Sequence, residues 1–288
     1  MDHFVSIKDI SKDQIESTVF ELLDICRNEA TIKDYYHENA YSLRSKILAT
    51  LFVSDSLRTR AGFVSSFLRL GGSHLSFDMY EKLIEKNMSN EPLSGITGYI
   101  SQYVDLIAIR CNSKSYFDDL IQGSSVPVIS AGHGQKSHPT TAINYLSSIY
   151  KNTKKLNDLN VLVVAVEPKR CVNSLVEGLK KWKGNKVEVR SPFYSDNYDL
   201  FSCTELKKFD VIFFDEDIVD YERNSPYFKL SLDMYNNIKS SIHIIHAKPV
   251  INLFEHSLKS TLKTDLQKQS RNSSILKSLL YKRLIDIQ

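Results

Sequence analysis

Four cysteines, Cys26, Cys111, Cys171 and Cys203, are all that this chain of 288 residues contains, and no two stand in C-x-x-C spacing. A disulfide scaffold is therefore not expected; reduced thiols in a cytoplasmic chain are. Excess charge is missing as well. The 37 basic residues face 34 acidic ones, a net of +3, which predicts no nucleic-acid partner. No apolar run exceeds the length of a strand, so no membrane span is expected, and residues 1–20 carry too many charges for a signal peptide. Glycine is scarce at ten residues, and no internal repeat or low-complexity tract interrupts the chain. What is left, 42% hydrophobic and 25% charged, is the composition of an ordinary globular protein long enough for two domains.

The stretch from Ile47 to Gly72, ILATLFVSDSLRTRAGFVSSFLRLGG, organises the rest. Ile47 to Val53 is almost wholly apolar and reads as a strand buried on both faces. Ser54, Asp55 and Ser56 break the run with N-cap chemistry. Phe63, Phe67 and Leu70 then fall at helical spacing, and Gly71-Gly72 is a stop signal. Strand, tight loop and helix put Ser56, Arg58, Thr59 and Arg60 around a first helical turn, where free N–H groups and the positive dipole end favour an anion. Two guanidiniums and two hydroxyls there suit a phosphate. Taken alone, S-x-R-T-R reads more simply as a capped helix with a solvated basic turn.

The remaining chain tips that balance. A helix is expected over 9–29, a polar connection over 34–44, strands at 74–78, 105–110 and 126–130, and helices over 93–104, 114–122 and 140–150, with a mobile loop over 80–92. Residues 151–159, basic and polar, mark the expected domain boundary. A second series follows, with strands at 160–166, 186–190, 210–214 and 242–245, a helix over 170–182 and a closing amphipathic helix over 274–285. The alternation predicts an α/β fold of two doubly wound parallel-sheet domains of similar size, residues 1–150 and 151–288. A cleft is expected between them, with the closing helix returning to the first. Ligands of such sheets sit beyond the carboxyl ends of the strands. The first domain delivers Ser56, Arg58, Thr59, Arg110, His133 and His138 there; the second delivers Glu167, Lys169, Arg170, then Asp215, Glu216 and Asp217, then His246 and Lys248. A phosphate-bearing substrate is the expectation. His133 and His138, five residues apart, make a poor zinc site.

At this point the sequence resembles the aspartate and ornithine carbamoyltransferases along nearly its full length. SLRTR at 56–60 is similar to the family's Ser-Thr-Arg-Thr-Arg, and Phe63 to Gly72 follows as F-x-x-x-x-x-R-L-G-G. YVDLIAIR at 103–110 matches the strand that ends on the family's substrate arginine. VPVISAGHGQKSHPTTAI at 126–143 resembles the His-Pro-Thr-Gln signature, RCVNSL at 170–175 the Arg-x-x-x-Ser-Leu, and HAKPV at 246–250 stands in place of His-Pro-Leu-Pro-Arg. The resemblance implies attack of an amine on the carbonyl carbon of carbamoyl phosphate, without metal or cofactor. It also implies that Ser56, Arg58 and Thr59 hold the phosphate while Arg110 and His138 polarise the carbonyl, and that subunits form a homotrimer with shared active sites.

The departures fall unevenly. Leu57 replaces a threonine and Thr141 a glutamine in the donor half, each removing a hydrogen-bonding group. The acceptor half changes more. Glu216 stands where aspartate enzymes carry an arginine, Ile218 where they carry a glutamine, and Lys248-Pro249-Val250 where they carry Leu-Pro-Arg. No clear match exists for the loop lysine that a neighbouring subunit contributes. An anion in place of a cation repels a dicarboxylate, leaving Arg170 as the carboxylate partner in that half. The expectation is thus a carbamoyltransferase acting on an amine other than aspartate or ornithine. A non-catalytic relative and an aspartate carbamoyltransferase are the alternatives.

Overall fold

The computed structural model describes residues 3–54, 56–77, 92–135, 137–165, 168–190, 201–215, 230–240, 242–247 and 254–285. Strands β1 (His3–Phe4), β2 (Ile47–Phe52), β3 (Ser73–Phe77), β4 (Leu106–Cys111) and β5 (Val128–His133) form a sheet in the order β1-β5-β4-β2-β3, with every pairing parallel. Helices α1 (Lys12–Ile25), α2 (Glu29–Glu38), α3 (Leu57–Leu68), α4 (Leu93–Ile100), α5 (Lys114–Gln122) and α6 (Pro139–Thr153) surround it. The apolar run of β2 follows from cover on both faces. Leu48 and Phe52 pack with Phe63 and Phe67 of α3 and Ile143 of α6. Ala49 and Leu51 pack on the other face with Ile96 and Ile100 of α4 and Phe117 of α5.

The second sheet comprises β6 (Asn160–Ala165), β7 (Lys186–Arg190), β8 (Val211–Asp215) and β9 (His243–His246) in the parallel order β7-β6-β8-β9. Helices α7 (Arg170–Leu179), α8 (Cys203–Leu206), α9 (Leu232–Ile238) and α10 (His256–Ile285) belong to this half of the chain. The two-sheet α/β architecture is as the sequence predicts. One hydrophobic cluster runs from the first sheet to the second: Ala108 and Ile129 share it with Val163 and Phe213 through Leu146 of α6 and Leu175 of α7. The two halves are therefore joined along these helices. Between them α6 ends with Lys154 in the left-handed region (φ 59°), and Leu156 and Leu159 are buried.

Several elements differ from expectation. The helix expected over 9–29 is α1, shorter at both ends, and α2 follows it directly; each is opened by a reciprocal capping box, Ser11 with Gln14 and Asn28 with Thr31. The polar connection expected from residue 34 is the body of α2, whose only fully buried side chain is Tyr35. The closing helix begins eighteen residues earlier than its apolar pattern suggests. It does return to the first half: Ser274 Oγ lies 2.9 Å from Ser66 Oγ, and the Tyr281 hydroxyl donates to Phe63 O at 2.9 Å. Among the described residues no helix is long and apolar enough to cross a membrane. The loop expected over 80–92 falls almost wholly outside the described residues.

Candidate active site

The carboxyl ends of β2, β4 and β5 sit side by side because parallel pairing aligns them. Phe52 is opposite Arg110, and Val53 N–H donates to Arg110 O at 2.8 Å. Beyond β2 the chain turns into α3 with Ser56 as N-cap in extended conformation. Serine here normally accepts a bond from the backbone of the first turn, yet Ser56 makes no such bond. Its hydroxyl instead donates to Thr59 Oγ1 at 2.9 Å. Arg58 is exposed, while Arg60 turns back and stacks over the Phe52 ring at 5.1 Å. Leu57 is 81% exposed, so the residue standing in place of a threonine presents its apolar side chain to solvent.

Arg110 and His138 meet at Gly132. The Arg110 Nη1 donates to Ala131 O at 3.0 Å. A Cβ on Gly132 would come within 3.0 Å of Arg110 Nη1 and of His138 Cδ2, and its φ of +103° is itself glycine-favoured. Only glycine fits between guanidinium and imidazole. His138 is the N-cap of α6, with Pro139 following, and has no side-chain cap bond. Its Nδ1 faces Thr141 Oγ1 at 3.0 Å and Thr140 Oγ1 at 3.4 Å. Burial holds its pKa well below the usual histidine value, and the charges of Arg110, Arg170, Lys277 and His133 push the same way. The imidazole is neutral at physiological pH. Next to it His133 stacks on Phe117 at 3.6 Å and bonds Ser130 Oγ through Nδ1 at 2.9 Å. Burial brings His133 down to about 4.

The second half supplies α7, whose start also lacks a side-chain cap. Arg170, its first residue, reaches across to Asn112 Oδ1 at 3.0 Å, just past β4. Its Nη1 is buried and has no hydrogen-bond partner among the described residues. One turn along, Ser174 Oγ accepts the His138 backbone N–H at 2.7 Å. Asp215 and His246, at the paired ends of β8 and β9, are both buried. Glu216, Lys248 and Pro249 lie outside the described residues, as do Glu167, Asp217 and Ile218. Ser56, Arg58, Thr59, Arg110, His138, Thr141 and Arg170 thus lie around three uncapped helix starts. Among the described residues no group of three metal-ligating side chains occurs. A cavity of about 600 Å³ lies elsewhere, at the far end of α6, where Asn152, Tyr235, Lys239 and His243 line it.

The sequence profile described as "Aspartate/ornithine carbamoyltransferase, carbamoyl-P binding domain" matches residues 2–151. The chain belongs to the aspartate/ornithine carbamoyltransferase family. It is 34% identical over 194 residues to the aspartate carbamoyltransferase catalytic subunit of Methanococcus maripaludis, a match covering 67% of this chain and 62% of that relative's length. The corresponding subunit of Clostridium acetobutylicum is 26% identical over 96% of this chain and 97% of its own. In fold the family member resembles the catalytic subunit of the M. jannaschii enzyme, with a TM-score of 0.78, 24% identity and coverage of 100% and 99%. It also resembles the Trypanosoma cruzi aspartate transcarbamoylase solved with carbamoyl aspartate and phosphate, with a TM-score of 0.78, 17% identity and coverage of 98% and 95%.

Three residues around this candidate site escape a sequence reading. Ser174 is visible as part of RCVNSL, but its bond to His138 depends on the docking of two helices far apart in sequence. Asn112 is a lone polar residue after a strand. Lys277 is buried on α10, where Nζ bonds Ser273 O at 3.0 Å and lies 5.0 Å from the Phe63 ring centroid. Burial pushes it down to about 7. Its one available signal is a charge flanked by Ile275, Leu276, Leu279 and Leu280 on a helix otherwise buried there.

Proposed function

We propose that this chain transfers the carbamoyl group of carbamoyl phosphate to an amino-acid amine, with residues 1–150 binding the donor and 151–288 the acceptor. The observation carrying this reading is the approach of Arg110 and His138 across Gly132, beside the uncapped start of α3. Two donors converging on one small space suit a carbonyl oxygen that gains negative charge as the amine adds. The phosphate would lie on the N–H groups of the first turn of α3, with Ser56, Arg58 and Thr59 around it. The amine nitrogen bonds to the carbonyl carbon, the bond from that carbon to the bridging phosphate oxygen breaks, and phosphate leaves with that electron pair. The proton lost by the nitrogen passes to the departing phosphate, the base nearest to it. Holding both reactants in contact supplies much of the rate.

For the acceptor, support is strongest for aspartate. Relatives matching 96% and 98% of the chain are named aspartate carbamoyltransferase catalytic subunits, and Arg170 offers a buried guanidinium nitrogen to a carboxylate. This displaces the expectation of a different amine as the leading reading. That expectation survives as a second reading on one observation: Glu216 where the family's aspartate enzymes carry an arginine. Incubation with carbamoyl phosphate and a panel of amines, read by phosphate release, separates them. Carbamoyl aspartate formation supports the first; turnover of another amine without aspartate supports the second. Neither turnover nor carbamoyl-phosphate binding by calorimetry would leave a non-catalytic relative.

A homotrimer with shared sites is part of the same proposal. Tyr99 and Tyr103 of the first half are 64% and 54% exposed and form a pair at 5.2 Å, a surface suited to a neighbouring subunit. Light scattering is expected to give about three times 33.0 kDa; a monomer would overturn the assembly.

A further inference from the structure

Thr141 stands where the family's signature has a glutamine, and its side chain faces the histidine rather than open space. Its Oγ1 lies 3.0 Å from His138 Nδ1, with Thr140 Oγ1 behind it at 3.4 Å. Both hydroxyls belong to the first turn of α6, directly after the N-cap. Among the described residues, neither hydroxyl has another hydrogen-bond partner. A threonine hydroxyl carries one proton to donate. A hydroxyl that donates to Nδ1 leaves the ring's own proton on Nε2.

From this arrangement we infer that Thr141 is a positioning residue that holds His138 as the Nε2–H tautomer and aims that proton at the space beside Gly132. The inference rests on the carbamoyltransferase reading of the site. The geometry on the other side of the ring agrees with it. The would-be Cβ of Gly132 lies 3.3 Å from His138 Nε2 and 3.0 Å from Arg110 Nη1, so both nitrogens border the same notch. None of the described residues hydrogen-bonds Nε2. A neutral imidazole has one N–H only, and the bond at one nitrogen decides what the other can do. If Nδ1 held the proton, Nε2 would present a lone pair to the carbonyl oxygen and repel it. With Nδ1 accepting from Thr141, Nε2 donates alongside Arg110.

The substitution therefore has two sides. It removes an amide that would reach the carbamoyl group, and it adds a hydroxyl that fixes the ring. Ser174 completes the mounting by holding the backbone N–H of the same histidine at 2.7 Å.

The test uses the full-length protein, uniformly labelled with nitrogen-15, and long-range proton–nitrogen correlation spectra of the histidine rings at pH 7, with a His138→Asn sample to assign the signal. The expected wild-type spectrum shows His138 protonated on Nε2. Thr141→Val, which keeps the shape and removes the hydroxyl, is expected to mix the tautomers and lower kcat about 10- to 100-fold, with KM for carbamoyl phosphate changed less than about threefold. Thr141→Ser is expected to restore both spectrum and kcat. An Nδ1–H signal in the wild type overturns the inference, as does a Thr141→Val spectrum identical to wild type. The spectra need no turnover, so an inactive protein with the expected tautomers would count against the enzymatic reading alone. A Thr141→Val protein that does not fold leaves the wild-type and Thr141→Ser spectra to decide.

Discussion

Ser11 and Ser56 occupy the same position in two helices and do opposite things. Both are N-caps with extended backbone. Ser11 accepts the Gln14 N–H at 3.1 Å and completes a reciprocal box, as Ser113, Ser202 and Ser231 similarly cap α5, α8 and α9. Ser56 directs its hydroxyl to Thr59 and leaves the first turn of α3 without a side-chain cap. The starts of α6 and α7, which meet α3 around the candidate site, are uncapped too. So is α4, which opens on Pro92, a residue unable to cap by side chain. A helix start that closes its own N–H groups is structural; one that leaves them open beside arginines is available to an anion.

The sharpest way to break this contrast is to remove the arginines. Arg58→Ala and Arg110→Ala are each expected to lower the rate of phosphate release about 100- to 1,000-fold. For Arg58, which is exposed, urea melts should move by less than about 0.5 kcal/mol. An unchanged rate would make α3 an ordinary helix with a basic first turn.

Lys277 tests the back of the same helix. Burial holds its folded pKa at about 7, below the ordinary lysine value of about 10.5. As pH falls from about 10.5 to about 7, the unfolded chain binds the proton first, so this lysine progressively destabilises the fold and then levels off below about 7. Lys277→Met should therefore be more stable than wild type at pH 7, by roughly 3–5 kcal/mol, and the gap should close toward pH 10.5. A gap constant with pH would mean that the amine stays charged in the fold.

The paired serines come next. Ser11→Ala is expected to cost about 1 kcal/mol of stability and leave kcat unchanged. Ser56→Ala should do the reverse, leaving the melting curve in place and lowering kcat/KM for carbamoyl phosphate about tenfold. If both variants lose only stability, the two caps are alike. The smallest effect expected is on pH dependence. With His138 held neutral by burial, kcat should vary less than about twofold between pH 5.5 and 7.5; an inflection near 6.5 would show an exposed, titrating imidazole.

The fold was legible where periodicity is strong. NVLVVA and ILATLF are buried on both faces and read as strands from composition alone. His3–Phe4 was not, because two residues carry no period. The helix Glu29–Glu38 hid for a different reason: it buries Tyr35 alone, so its polar letters read as a connection. At the site, Arg58, Arg110 and His138 were legible because a strand must end before each loop begins. What Thr141 does was not. Its letter records a lost amide, whereas the bond to Nδ1 depends on which way one rotamer points. The identity of the acceptor stays with Glu216, Lys248 and Pro249, which lie outside the described residues.

The hydrogen bond from the His138 amide to Ser174 ties the first half of the chain to a helix of the second. Any swing of α7 away from α6 must break it and release the peptide unit that carries the imidazole. The seat of the ring is therefore shared by two helices that lie far apart in the sequence.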